Sequence, residues 1–168
     1  MFDWYKRLRH SKGFGIHSPS AYRIIREVLC PSRSYRYYAE INELRRLKKD
    51  GYTYGELCTF YRFLVDCAPK SVALTGGRVD PLRKIIRLAC PRAKFTDDIQ
   101  ECDLLVASQS MSKISGALPS VVYLFDIDSS VADDLIADIT VGHIFRSKRH
   151  ILIQNNASLP RQIFHLNF

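Results

Sequence analysis

The chain has 168 residues, of which 46% are hydrophobic and 25% are charged, the composition of an ordinary globular domain. No apolar run approaches the roughly 20 residues that cross a bilayer, and the basic N-terminus lacks the apolar stretch of a signal peptide. These features argue against integral membrane and secreted proteins. We therefore expect a cytoplasmic single domain over residues 1–168, with no membrane partner.

The cysteines favour a reducing environment. There are five, an odd number, and no two have CxxC spacing. An odd count argues against a complete disulfide framework, so we expect mostly buried free thiols at Cys30, Cys58, Cys67, Cys90 and Cys102. The histidines show no metal-ligand spacing, so we also expect no metal site.

Positive charge is concentrated in the first third of the chain. The net charge is +8, and residues 1–50 hold 12 Lys and Arg against 5 Asp and Glu; 13 of the 19 aromatic residues fall in residues 1–63. We favour amphipathic helices with a solvated basic face, because the charges recur at helical spacing. The alternative is a nucleic-acid-binding module, which would use Arg23, Arg26, Arg45 and Arg46.

Three helices are predicted before residue 69. The first begins at Ser18-Pro19, a good N-cap and first position, and ends at Cys30-Pro31; its predicted buried face is Tyr22, Ile25, Val28 and Leu29. The second covers about 36–49. The third opens with the capping box of Thr53 and Glu56 and ends at Pro69, with a buried stripe of Leu57, Phe60, Tyr61 and Leu64.

From residue 71 onward, short apolar runs alternate with helices, which predicts a mostly parallel, three-layer α/β sheet. Asp80-Pro81 is expected to cap one helix, and Ser129 or Ser130 another. Residues 147–149 are predicted to join an antiparallel hairpin. The predicted strands cover residues 72–75, 93–96, 103–107, 121–125, 141–146 and 150–155.

The link between the second and third predicted strands is unusually short. A parallel crossover through a helix needs about a dozen residues or more, and only residues 98–101 separate the two runs. Either the second strand is very short or irregular, or a whole helix–strand unit is absent here.

A glycine turn stands where an α/β fold commonly holds a ligand. Residues 71–82 read SVALTGGRVDPL, a strand, a turn and a helix start. The glycine spacing differs from the dinucleotide fingerprint, and a P-loop lysine is missing. Gly76 and Gly77 therefore form either a tight turn without a ligand or, with Arg78 and the N–H groups of residues 80–83, an anion site.

Three stretches of the chain carry a family resemblance: the opening GFGIHSPSAYRIIREVL, the tyrosine-rich YRYYAEINELRRL and the closing DITVGHIFRSKRHILIQNNASLPRQIFHLNF. They resemble parts of the bacterial class I S-adenosylmethionine-dependent methyltransferases with a helical N-terminal extension. The resemblance implies a Rossmann-like sandwich whose last strand is antiparallel, built on residues 69–168 and preceded by a helical extension, residues 1–68. It also implies a closing hairpin with an amphipathic tail and S-adenosylmethionine as the cofactor.

The chain departs from that family at the cofactor positions. Leu74 stands where the family has an acidic residue, and Asp80 replaces the last glycine of the turn, where a side chain would crowd the ligand. The resemblance implies that Asp97 or Asp98 would bind the ribose hydroxyls and that Asp126 keeps one acid of an acidic pair, while a following histidine or aromatic residue is lost. The missing helix–strand unit would remove the adenine side of the pocket.

We therefore expect a degenerate methyltransferase-like protein without methyl transfer and without bound S-adenosylmethionine. Its vestigial cofactor residues would be Gly76, Gly77, Arg78, Asp97 and Asp126, with no catalytic residue assigned. An active S-adenosylmethionine-dependent methyltransferase of unknown acceptor is the alternative enzyme.

His17, the pair of Asp126 and Asp128, and the edge of the sheet also have possible functional roles. His17 is either a catalytic base or, as we favour, a support for a turn. Asp126 and Asp128 either bind a ligand or cap the next helix. A sheet edge bared by the missing unit would favour a homodimer; the sequence identifies no other partner.

Overall fold

The computed structural model describes residues 2–31, 51–109 and 118–168. The chain divides into two compact units. The first combines the chain up to Ala68 with Asp80–Pro91 and Leu166–Phe168, and the second contains Pro69–Val79 and Arg92–His165. The predicted helix over 36–49 lies outside the described residues.

The first unit is helical. It contains α1 (Phe2–Ser11), α2 (Pro19–Arg23), the π-helix π1 (Ile24–Leu29), α3 (Tyr54–Cys67) and nearly all of α4 (Val79–Ala89). Helix α1 was not predicted, because its sequence FDWYKRLRHS has too few aliphatic residues to show a clear apolar stripe.

The predicted helix after Ser18 begins as expected and then widens. The Ser18 hydroxyl accepts a hydrogen bond from the Ala21 N–H at 3.4 Å, which confirms the N-cap. From Ile24 the backbone continues as a π-helix, whose turns hold more residues than those of an α-helix. The prediction for Tyr22 was wrong, since it is 46% exposed; the buried residues here include Ile24, Ile25, Val28 and Leu29.

Helix α3 has the predicted capping box. The Glu56 N–H donates to Thr53 Oγ1 at 3.2 Å, and the Thr53 N–H donates to Glu56 Oε2 at 2.6 Å. The helix ends at Cys67, followed by Ala68 with φ of 44°. The predicted stripe needs one correction, because Phe63 is buried and Tyr61 is only half-buried.

The end of the chain belongs to the first unit. The Asn167 N–H donates to Ser11 Oγ at 2.9 Å, and Cys30 Sγ lies 3.4 Å from the Asn167 carbonyl oxygen. All five cysteines are free thiols, but the expectation that most are buried was wrong, because only Cys58 and Cys102 are. Partial or full burial raises the pKa of Cys30, Cys90 and Cys102. These contacts tie the C-terminal residues to α1 and to the end of π1.

The second unit is built on a seven-stranded sheet with the order β2-β1-β3-β4-β6-β5-β7. Among the strands of the described residues, only β6 runs against its neighbours, β4 and β5. This confirms the α/β fold with a mostly parallel sheet, an antiparallel hairpin strand and preceding helices. The strands are β1 (Ser71–Gly76), β2 (Lys94–Thr96), β3 (Leu104–Ser108), β4 (Val121–Phe125), β5 (His143–Arg146), β6 (His150–Gln154) and β7 (Gln162–His165).

The short link after β2 has a geometric explanation. Strand β2 has three residues and pairs only with the first half of β1, where Thr96 is opposite Ala73. Leu104, the first residue of β3, is opposite Val72 on the other side of β1. Residues 97–103 therefore need to cross only two strand spacings, about 10 Å. The prediction of a very short second strand is confirmed, and residues 97–103 also contain no helix or strand.

The C-terminal hairpin is confirmed, and one strand was missed. Residues 147–149 connect β5 to β6, and the Ser147 N–H donates to the His150 carbonyl at 2.8 Å. The family resemblance implied an amphipathic tail after the hairpin. Instead, part of that tail, Gln162–His165, forms β7, parallel to β5 at the edge of the sheet.

One face of the sheet carries the last helix, α5 (Ser129–Asp138). The prediction that Ser129 or Ser130 caps this helix was wrong, because Asp128 is the N-cap and accepts from the Ser130 N–H at 2.9 Å. Arg161 donates from Nε to the Ile139 carbonyl at 2.7 Å, just past the other end of α5. The buried cluster of this face includes Ala73, Leu105, Ala107, Val122, Leu124, Ala132, Ile136, Ile144, Ile151 and Ile153.

Candidate functional site

The candidate site lies at the carboxyl edge of the sheet, where three parallel strands end together. The register places Gly76 of β1 opposite Ser108 of β3, and Ser108 opposite Phe125 of β4. The carboxyl ends of strands are where open α/β sheets bind ligands. The residues that follow these three strand ends therefore decide what this edge can hold.

Gly76 is required by the sheet itself. Its φ is +94°, and a Cβ at this position would lie 2.0 Å from the Ser108 carbonyl oxygen. Any side chain would therefore collide with the backbone of β3. A Cβ on Gly77 would lie 3.4 Å from Oε1 of Gln109, a side chain that lies over the turn. Close packing within the protein thus explains why residue 76 is glycine, and no bound ligand is needed to explain it.

Each strand end is followed by a residue in the left-handed region. The φ values are 53° for Arg78, 49° for Gln109 and 48° for Asp126. Such values are uncommon for residues other than glycine, and they occur often at functional sites. The Gln109 N–H donates to the Phe125 carbonyl at 3.1 Å, and the Asp126 N–H donates to the Arg149 carbonyl at 2.7 Å. These bonds extend the sheet past β3 and β4 and fix both bends.

Asp126 is held by an arginine from the hairpin. Arg149 donates from Nε to Oδ1 at 2.6 Å and from Nη2 to Oδ2 at 2.5 Å, so both carboxylate oxygens accept from one guanidinium. A bidentate pair fixes the carboxylate plane as well as its charge. The predicted ligand residue Asp126 is therefore already engaged inside the protein, by a residue that was not predicted.

Asp128 takes the capping role. Its Oδ1 accepts from the Ser130 N–H at 2.9 Å and from the Ser130 hydroxyl at 2.7 Å. These hydrogen bonds lower the pKa of the Asp128 carboxyl, since they favour its charged form. The sequence left two roles open for these two acids, ligand binding and helix capping. In the structure Asp128 caps α5, whereas Asp126 pairs with Arg149.

Asp97 and Asp98 lie further from the carboxyl edge of the sheet than the other predicted residues. Thr96 is opposite Ala73, so Asp97 is level with Leu74, two residues and about 7 Å short of Gly76. Asp97 is exposed. Asp98 forms a local turn in which its Oδ1 accepts from the Gln100 N–H at 2.8 Å. Strand order also separates Asp97 from Asp126 by three strand spacings, about 14 Å.

The glycine turn leads directly into α4. This helix begins at Val79, so the expectation that Asp80 caps it was wrong; Asp80 lies in its first turn. Pro81 follows in the same turn and has no N–H to offer an anion. Arg78 is exposed just before the helix begins.

Sequence reasoning missed Gln109 and Arg149. Gln109 follows a strand that was predicted, but nothing in its local sequence signals a left-handed backbone. Arg149 was predicted only as part of a turn; pairing of β4 with β6 brings it to Asp126, 23 residues away. His17, the candidate base, is exposed on the helical unit.

Among residues 2–31, 51–109 and 118–168, we find no cluster of three or more His, Cys, Asp or Glu able to hold a metal ion. Over those same segments, no helix has both the length and the apolar character needed to span a membrane.

Comparison with known proteins gives no assignment. No protein-family model matches the chain, and no curated protein matches it. The fold therefore defines the class of this chain, an α/β protein with a mostly parallel sheet.

Proposed function

We propose that this chain is a methyltransferase-like protein of the class I S-adenosylmethionine-dependent fold that has lost methyl transfer. The three family-like stretches and a sheet whose antiparallel strand comes late in the chain support the ancestry. The carboxyl edge of the sheet supports the loss. Fold alone does not establish an activity, so the proposal depends on the residues of that edge.

The observation that carries the proposal is the pair between Asp126 and Arg149. A carboxylate that holds a polar cofactor needs free oxygen lone pairs, but both oxygens of Asp126 accept from the same guanidinium, at 2.5–2.6 Å. A cofactor would have to displace Arg149, losing two charge-assisted hydrogen bonds.

The rest of the edge also fits S-adenosylmethionine poorly. Leu74 offers no charge at the position where the family has an acid, and Gly76 packs against the backbone of β3. Asp97 stands below the edge because β2 stops early. Residues 97–103 are too few for the helix–strand unit that would enclose adenine. Each feature removes a different contact, so we assign the loss to the whole edge.

The direct test is calorimetric titration of the purified protein with S-adenosylmethionine and S-adenosylhomocysteine. We expect no heat of binding and no thermal shift at millimolar ligand. Binding in the micromolar range would contradict the proposed loss and favour the alternative, an active methyltransferase of unknown acceptor.

A variant distinguishes a loss of cofactor binding caused by the glycine turn from a loss caused by the rest of the edge. The double substitution Leu74→Glu and Asp80→Gly restores the acid and the glycine of the family pattern. We expect cofactor binding to stay absent, because the adenine side is still missing and Arg149 still covers Asp126. Binding by this variant, with none by the wild type, would assign the loss to the turn alone.

The proposal extends to a cytoplasmic homodimer, in which the apolar surface left bare beside β2 by the missing helix–strand unit would pack against a second copy. Light scattering at high protein concentration tests this part. A monomer would contradict it without affecting the cofactor argument.

A further inference from the structure

We propose that α1 and the turn after it bind single-stranded nucleic acid. We call this region the aromatic–basic surface; it consists of Trp4, Tyr5, Lys6, Arg9, Lys12 and Phe14. It lies wholly in the helical unit and is independent of the proposed methyltransferase ancestry. It also differs from the set of arginines that the sequence indicated for nucleic-acid binding.

Those arginines are engaged or lie outside the described residues. Arg23 donates two hydrogen bonds to the Asp66 carboxylate, at 2.5 and 3.0 Å. Arg26 donates from Nη1 to the Ser11 carbonyl at 3.4 Å. Arg45 and Arg46 are not among the described residues. A phosphate-binding role must therefore be sought elsewhere in the first third.

The aromatic–basic surface exposes rings that a folded chain would normally bury. Trp4 is 63% exposed, Tyr5 56% and Phe14 58%. Scattered single apolar residues on a surface need no explanation, but a group of large ones marks a binding surface. These three rings occur within eleven consecutive residues of the chain.

A tight turn brings Phe14 back to α1. The Gly13 N–H donates to the His10 carbonyl at 2.8 Å, and the Phe14 N–H donates to the Arg9 carbonyl at 3.0 Å. Together with φ of +83° at Gly13, this pair of bonds forms a Schellman motif. The motif fixes the direction in which the chain leaves the helix and places Phe14 beside Arg9.

Arg9 organises two of the rings. Its guanidinium carbon lies 5.9 Å from the centre of the Tyr5 ring and 6.0 Å from the centre of the Phe14 ring. Both distances are within the range of cation–π attraction. The rings are therefore held in place before any ligand arrives, which lowers the entropic cost of binding.

The positive charge of the aromatic–basic surface favours a ligand that carries phosphates. Residues 1–14 contain four Lys and Arg and one Asp, and Lys6, Arg9 and Lys12 are exposed. Exposed rings interleaved with cations are the features that bind single strands, because bases stack on the rings while the cations neutralise phosphates. An anionic membrane is less suited. Insertion needs a continuous apolar face along a helix. After Trp4 and Tyr5, the next apolar residue of α1 is Leu8, which is half-buried.

The experiment uses the intrinsic fluorescence of the whole protein. Trp4 is the single tryptophan of the chain, so its emission reports on this surface alone. We expect oligonucleotides dT20 and U20 to quench that emission. If three cations meet phosphates, affinity should fall about 15- to 20-fold between 50 and 200 mM salt. Unchanged emission with both oligonucleotides, or equal affinity at the two salt concentrations, would overturn the proposal.

Matched variants test the named side chains by anisotropy of labelled dT20. Lys6→Gln should weaken binding and make the salt dependence shallower, whereas Lys84→Gln, an equal loss of charge on α4, should leave both unchanged. Tyr5→Ala should lower affinity by at least about fivefold. Equal affinities for all three variants and the wild type would contradict the assignment.

Anionic phospholipid vesicles provide the competing outcome. A blue shift of Trp4 emission with vesicles of phosphatidylserine and phosphatidylcholine, without quenching by oligonucleotides, would identify a membrane surface instead. Circular dichroism and thermal unfolding establish that each variant is folded, so a lost signal reports lost contacts.

Discussion

The carboxyl edge of the sheet and the aromatic–basic surface both carry residues that commonly bind ligands, but they use them differently. At the edge, Gly76 packs against β3 and Asp126 is paired with Arg149, so the polar groups are satisfied within the protein. On α1 and the turn after it, the rings of Trp4, Tyr5 and Phe14 are exposed, and Arg9 lies about 6 Å from the last two. The comparison teaches that the presence of ligand-type residues is weak evidence until their contacts are known.

The largest expected effect is a loss of stability from substitution of the glycine at the carboxyl edge. Gly76→Ala would place a Cβ 2.0 Å from a backbone oxygen at a φ of +94°. We expect unfolding free energy to fall by at least about 3 kcal/mol, combining left-handed strain with a clash that cannot relax. Urea denaturation measures it. Gly55→Ala is the control, because a Cβ there has its nearest neighbour at 4.0 Å. A tolerated Gly76→Ala would mean that the turn is not fixed by β3.

The matching substitution in the turn after α1 should lower stability less. A Cβ on Gly13 would lie 2.5 Å from a ring carbon of Tyr22, which is a side chain and half-exposed. The ring can move, so we expect a loss of about 1–2 kcal/mol from the left-handed backbone. Because the turn places Phe14, Gly13→Ala should also weaken binding of dT20. Unchanged oligonucleotide affinity would show that the arrangement of Phe14 does not matter.

A smaller effect is expected for the ion pair at the edge. Arg149→Ala should lower the unfolding free energy by about 1 kcal/mol or less, since the pair is partly exposed to solvent. Lys148→Ala, at the neighbouring exposed position, is the control. High salt should reduce the difference between the two variants. A loss of several kcal/mol would show that the pair is a structural element of the edge.

The smallest expected effect is a pH dependence confined to the sheet. Burial lowers the pKa of His143 on β5 from the ordinary value of 6.5. Below pH 6.5 the unfolded state therefore binds more protons than the folded state, and stability falls as the pH drops toward the folded pKa. Hydrogen exchange of β5 and β6 amides between pH 7.5 and 5 measures this. His143→Gln should flatten the dependence, and an unchanged dependence in this variant would assign it to another group.

Local signals in the sequence predicted much of the fold. The capping box of Thr53 and Glu56, the Ser18 cap and the hairpin around residues 147–149 depend on neighbours in the chain, and the structure contains all three. The apolar runs of β1, β3 and β4 were also predicted, because buried parallel strands are apolar over their whole length.

The features that the sequence did not predict depend on pairing between segments that are far apart in the chain. Whether Asp97 reaches the carboxyl edge depends on where β2 stops, which is a matter of register with β1. The partner of Asp126 depends on the pairing of β4 with β6. Strand β7 has four residues, and its pairing with β5 defines it more than its own sequence does. The strand ends beside Gly76 and Asp126 were thus predicted from the sequence, but the contacts of these residues were not.

The lengths of the outer strands also bear on aggregation. In the sheet as described, the outer strands β2 and β7 have three and four residues. A strand of an aggregating chain needs a long, flat edge on which to form its backbone hydrogen bonds. Outer strands this short give an incoming chain few backbone groups to pair with. The early end of β2, which moves Asp97 away from the carboxyl edge, thus also limits growth of the sheet into fibrils.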